Sequence, residues 1–171
     1  MKKLLLSTIL IVAFSISTFA QTTLKGAENY SITLPQNWQR TLGANALASA
    51  QWEHNTEEIY GYVMFEHVDE IELAELKTDI ESNAEYALND FNELAQYKLL
   101  NSKKFKTTSG FETTQREFSY YDEENDIKFH MLINIFRSES FLYKMINFGT
   151  DETFKKGKKD IDFIINNIKL P

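Results

Sequence analysis

The chain contains no cysteine. That excludes a disulfide framework, thiolate catalysis and cysteine-ligated zinc, and leaves burial to hold the fold. Proline occurs only at Pro35 and Pro171, and no Gly/Ser-rich stretch, internal repeat or low-complexity segment is present. Nothing marks a linker, so the chain reads as one domain after its N-terminal segment. There is no Gly-x-Ser-x-Gly elbow and no glycine-rich phosphate loop, which leaves hydrolase and nucleotide-binding readings without their motifs. Basic residues are also short, 18 against 25 acidic ones. Such an acidic balance repels nucleic-acid phosphates and anionic membranes, and leaves room for cationic partners.

What is present begins at the N-terminus. Met1, Lys2 and Lys3 form a positive start, Leu4 to Phe14 an apolar run broken only by Ser7 and Thr8, and Thr18-Phe19-Ala20 a small-x-small ending. This is the pattern of a secretion signal, with cleavage expected after Ala20. The run is too short to be a spanning helix, which needs about 20 apolar residues. The expected mature domain is 21–171, exported to the periplasm or beyond, without stable membrane insertion. Loss of Lys2 and Lys3 takes its formal charge from −7 to −9. The 43% hydrophobic content is enough for a core in a domain of this size.

Along the mature chain, Tyr30 to Leu34 alternates as a half-buried strand does, and Pro35-Gln36-Asn37 ends it in a turn before Trp38. A weaker strand is expected up to Trp52, and a stronger one over Ile59 to Val68. From Leu73 the period changes. Leu73, Leu76, Ile80, Ala84, Ala87, Phe91 and Leu94 predict one long helical stripe. Four strands follow over Leu99–Thr107, Glu112–Tyr121, Ile127–Phe136 and Phe141–Phe148, the second polar enough to sit nearer an edge. A last helix from near Asp151 buries Phe154, Gly157, Ile161, Ile164, Ile165 and Ile168. Gly157 interrupts that apolar face, and is expected to lie against an aromatic ring of the sheet.

The late strands are apolar on both faces, so both faces need covering. One helix on each side gives an α+β fold with an antiparallel sheet between helical layers, a three-layer α/β/α sandwich. The alternative places both helices on one face and leaves an aromatic surface for a partner.

Tyr30-Ser31-Ile32-Thr33-Leu34-Pro35-Gln36-Asn37-Trp38 resembles the strand–Pro–turn–Trp opening of the PsbP-like domain family, the Mog/PsbP fold. The Phe141 to Met145 strand, a short loop and a final helix with Phe154, Ile161, Ile164 and Ile168 resemble its ending, so the likeness runs over about residues 27–170. Asn166-Asn167 departs from it, standing where many relatives carry a Ser-Phe pair. The resemblance implies an antiparallel sheet between helical layers and an accessory or binding role. It carries over no catalytic residue.

His67 and Asp69 stand two apart on an extended chain, and His54 or His130 would have to supply a third metal ligand. An ordinary surface or network histidine is the stronger reading. Asp122, Glu124 and Asp126 resemble the start of a calcium loop, but Ile127 and Ile133 occupy the positions that require glycine and glutamate. Lys155, Lys156, Lys158 and Lys159 read as a solvated helix face. No catalytic, cofactor-binding or metal residue is therefore assigned. The function expected is an exported, non-catalytic accessory domain that binds an envelope protein. The alternative is a lipophilic ligand held between the sheet and the long helix, for which 13 Phe, 8 Tyr and 2 Trp are the motive. A metal-dependent enzyme using His67 and Asp69 comes third.

Overall fold

The computed structural model describes residues 21–171, so the expected signal over residues 1–20 lies outside the described residues. Strands β1 (Thr22–Lys25), β2 (Ser31–Leu34), β3 (Trp38–Arg40), β4 (Ala50–His54) and β5 (Ile59–His67) come first. Helices α1 (Val68–Leu73) and α2 (Ile80–Asn89) follow. Then come β6 (Lys98–Lys106), β7 (Glu112–Asp122), β8 (Ile127–Arg137), β9 (Phe141–Thr150) and α3 (Asp151–Asn166). Seven strands form one sheet in the order β3-β4-β5-β9-β8-β7-β6, and every pairing in it is antiparallel. β1 and β2 make a separate hairpin, to which Lys169 of the C-terminal tail adds by exchanging two hydrogen bonds with Ser31, each 2.9 Å.

The alternation in β8 and β9 splits the core in two. Leu132, Phe136, Tyr143 and Met145 face α3 and the β1–β2 hairpin, meeting Phe154, Ile161, Ile164 and Ile165. Met131, Ile133, Ile135, Leu142 and Ile146 face the other way, meeting Ile71, Ala84, Ala87 and Leu88 of α1 and α2. Helical layers thus cover both faces of an antiparallel sheet, which is the three-layer arrangement. Each large side chain taken from water here contributes about 1.5–3 kcal/mol.

Helix α3 forms because its apolar positions recur on one face and its ends are capped. The Thr150 side chain accepts from the Thr153 amide at 3.2 Å, and Asp151 and Glu152 occupy the first turn, where negative charge suits the dipole. The single long helix expected from Leu73 to Leu94 is instead two. α1 stops at Leu73, Glu75 takes a left-handed φ of 58°, and the chain restarts at Asp79. The Asp79 carboxylate accepts from the amides of Glu81 (3.1 Å) and Ser82 (2.8 Å), a new N-cap that stabilises a start where the apolar period alone implied continuation. Only the middle of the predicted stripe packs on the sheet. Leu73 is 84% exposed, Leu76 49% and Leu94 39%.

β7 is second from the edge; the edge itself is β6. Its polarity reflects partners more than exposure, since Thr113, Thr114, Gln115, Arg116 and Ser119 are all buried. β1 was not anticipated, because Leu24 is its only buried residue and gives no alternation to read.

Gly157 is buried, on the expected face. The contact that excludes a side chain there is aliphatic: an added Cβ would stand 2.3 Å from Ile59 Cδ1, and 3.8 Å from the nearest atom of Trp38. The expected aromatic neighbour, Trp38 of the sheet, stands at ordinary van der Waals distance, and the tighter contact is Ile59.

Candidate functional site

The break between α1 and α2 shapes a cleft of about 170 Å³. Met64, Ile135 and Leu142 form its floor, from β5, β8 and β9, which lie side by side in the sheet. Ile71 and Leu76 wall one side, Tyr86 and Ala87 of α2 the other, and Glu66 and Lys144 add one charge of each sign. Leu76 lines this cleft while about half exposed, and Leu73, at the end of α1, is still more open. The lining combines an apolar floor with the polar groups of Glu66, Asn83, Tyr86 and Lys144, in the place expected between sheet and helices. Its volume is below the roughly 300–1,000 Å³ of small-molecule sites. It has room for a protruding side chain.

A buried arginine paired with two exposed carboxylates fixes the α2 side of this cleft to the sheet. Arg116 of β7, its side chain 3% exposed, donates through Nη2 to Glu81 and, at 2.6 Å, to Glu85, and through Nε to Glu85 at 3.1 Å. Burial works to lower the Arg116 pKa, but the bonds to Glu85 and Glu81 outweigh it and hold it above the ordinary value. The Glu81 carboxyl is held below its ordinary range, first by Lys104 at 2.9 Å, with burial opposing and Arg116 adding. These charges position a helix; none converges on the cleft.

The histidines fall into separate places. His67 caps α1, its Nδ1 accepting from the Asp69 amide at 3.4 Å, with the Asp69 carboxylate at 3.7 Å. His54, at the other end of the β4–β5 hairpin, accepts through Nδ1 from the amides of Thr56 (3.3 Å) and Glu57 (3.1 Å). β5 separates the two by about 25 Å at the usual strand rise. His130 lies buried under α3, stacked on Phe154 with centroids 4.1 Å apart and planes 8° from parallel. Its Nε2 meets Glu117 Oε1 at 2.8 Å and its Nδ1 meets Asp151 Oδ1 at 3.1 Å. Those carboxylates contact opposite nitrogens of one ring, so the three groups do not converge on a common point. The bond to His130 leads the causes that hold the Glu117 carboxyl below its ordinary range, while for Asp151 Lys155 comes first and His130 second. Sequence reasoning had not singled out this trio or the Arg116 pair, because residues 13 to 35 apart in a chain carry no local signature.

The remaining candidates resolve locally. Asp122 accepts from the amides of Glu124 (3.0 Å) and Asn125 (3.2 Å), which makes the acidic segment a hairpin turn. Lys155, Lys156 and Lys158 each pair with a carboxylate on their own helix, Asp151, Glu152 and Asp162 in turn.

Solved structures place the architecture. The chain superposes on cyanobacterial PsbP from Synechocystis at a TM-score of 0.62 and 12% identity, covering 92% of this chain and 96% of that one. It has the PsbP-like fold. LpqN of Mycobacterium tuberculosis, a protein involved in cell envelope biogenesis, gives a TM-score of 0.66 at 11% identity, with 89% and 91% of the two chains covered. A protein from Bacteroides thetaiotaomicron gives 0.55 at 10% identity over 88% of this chain and 48% of that one. No protein-family model matches the sequence, and no curated protein matches it significantly. In the PsbP-like frame, α3 is the final helix that the Phe154, Ile161 and Ile164 pattern implied; Ile168, expected on the same helix, is buried but lies past its end at Asn166. Among the described residues, no helix is long and apolar enough to cross a membrane.

Proposed function

We propose that this chain is an exported, non-catalytic accessory domain of the cell envelope that binds another protein through the cleft between α1, α2 and the sheet. The observation that carries the proposal is the cleft itself. Its floor is apolar, its volume is about 170 Å³, and Leu76 in its wall is 49% exposed. An exposed leucine beside an apolar floor is the surface that a partner's anchor side chain buries. The same volume argues against the alternative, a whole lipophilic molecule between sheet and helix. The PsbP-like fold and the likeness to LpqN, which takes part in envelope biogenesis, support an accessory role in that compartment. The signal pattern over residues 1–20 supports export.

Affinity capture from the envelope fraction of the native cells tests the reading, with wild type compared against Leu76→Glu. Wild type should retain a discrete partner that the variant loses while keeping its melting temperature. Native mass spectrometry of the captured wild type should show no bound lipid. A retained lipid with no protein would replace this reading by the ligand-binding one.

A further inference from the structure

The sheet has one long open edge. β6 runs for nine residues, pairs only with β7, and is exposed at every position except Phe105, which is partly buried. The opposite edge, β3, has only three residues. Among the described residues no strand lies on the outer side of β6, so its outward backbone N–H and C=O groups form a template for another chain. A bulge between Leu99 and Asn101 breaks the register in its first half, whereas Asn101 to Lys106 pairs with Glu117 to Glu112 without interruption. The second half is therefore the regular template.

Its chemistry is one-sided. β6 carries Lys98, Lys103, Lys104 and Lys106 and no acid, in a chain of net charge −7. Lys104 is satisfied by Glu81, and Lys103 lies over the Phe105 ring at 4.8 Å. Lysines along an edge prevent two copies from pairing edge to edge, since like charges would then face each other. The same lysines select an acidic strand, because specificity is the attraction of one partner set against the repulsion of others. Beside this half lies a depression of about 340 Å³ lined by Ile80, Phe105 and Thr113, with Lys104, Lys106 and Glu112 at its sides. A side chain of an added strand would enter it, as in other strand-addition complexes.

We infer that Asn101–Lys106 of β6 is a docking edge that accepts an acidic, extended segment of a protein partner as an eighth strand. This rests on the protein-binding reading above but uses a different surface. The test uses the mature chain, isotope-labelled, and three synthetic eight-residue peptides. One alternates Glu with Val, one alternates Lys with Val, and one is the Glu peptide with proline at its two central positions. The acidic peptide should bind at least about tenfold more tightly than the lysine peptide, the sum of a few exposed charge pairs. It should weaken as salt rises, and slow amide exchange at alternate residues of 101–106. The proline peptide should lose that protection. Lys103→Glu/Lys106→Glu, which changes only exposed side chains within the edge, should abolish the preference while leaving the melt unchanged. Equal binding of all three peptides, protection mapped elsewhere, self-association through β6, or binding of phosphatidylglycerol vesicles through the same lysines would each overturn the inference. If the peptides fail while Leu76→Glu still loses its captured partner, only the edge falls and the cleft stands.

Discussion

Replacing Gly157 by alanine should destabilise the domain, although alanine is the better helix former. The gain is the helix propensity, about 1 kcal/mol. Against it stands the geometry: the new Cβ would lie 2.3 Å from Ile59 Cδ1, and 3.7 Å from Cγ1. Carbon atoms pack at about 3.5–4.0 Å, so the Cδ1 methyl has to retreat by more than 1 Å. Ile59 is fully buried, and its retreat displaces other core atoms. Overpacking of that kind costs about 1–3 kcal/mol, leaving a net loss of about 0–2 kcal/mol. Ile59→Val removes the offending methyl and should cost about 0.5–1.5 kcal/mol alone. In that background Gly157→Ala should become stabilising by up to about 1 kcal/mol, because the clash is gone and the propensity remains. Urea unfolding of the four proteins in the cycle measures both terms. Additivity within about 0.5 kcal/mol, or a clear rise in midpoint for Gly157→Ala alone, would refute the contact.

Gly61→Ala should be worse, since its Cβ would stand 2.2 Å from Trp52 Nε1 and 2.5 Å from Asn147 Oδ1, the two atoms of a buried 3.2 Å hydrogen bond. A loss of about 2–4 kcal/mol is expected in a thermal melt, with a changed Trp fluorescence spectrum. The Arg116 pair should respond unequally. Glu81→Gln/Glu85→Gln leaves a buried guanidinium without its charges and should cost about 1–3 kcal/mol, more than Arg116→Met, whose partners are free to turn to water. Denaturant melts of both variants read the order, and equal losses would refute it. Glu117 sets an acid limit. Its folded-state value is depressed, so its contribution is fully present above the ordinary 4.5 and is lost as pH falls through the folded value. In His130→Ala, which removes the leading cause, stability should fall less steeply with acid over that window. An unchanged slope would dissociate Glu117 from His130.

The strands were legible where alternation and turns agreed. Tyr30 to Leu34 stops at Pro35, and the Ile127–Arg137 and Phe141–Thr150 strands show two apolar faces because helices cover both. The helix between Leu73 and Leu94 was misread because a three-to-four spacing continues through Leu73 and Leu76 by composition, while Asp79 decides where the helix starts. The Thr78-Asp79-x-x-Ser82 segment carried that signal, and the apolar count outweighed it. The cleft followed from that break and was hidden with it. Buried pairs such as Arg116 with Glu85 and His130 with Glu117 depend on strand register and on which helix packs above. A one-dimensional pattern does not contain either.

The central claim is that the α1–α2 face meets a protein. A photo-crosslinking amino acid placed at Leu76 (49% exposed), and as a control at Lys159 on the opposite layer, reads this directly in living cells. One discrete envelope-protein adduct is expected from position 76 and none from position 159. Adducts of equal yield at both positions, or a strictly monomeric chain with no adduct at position 76, would contradict it.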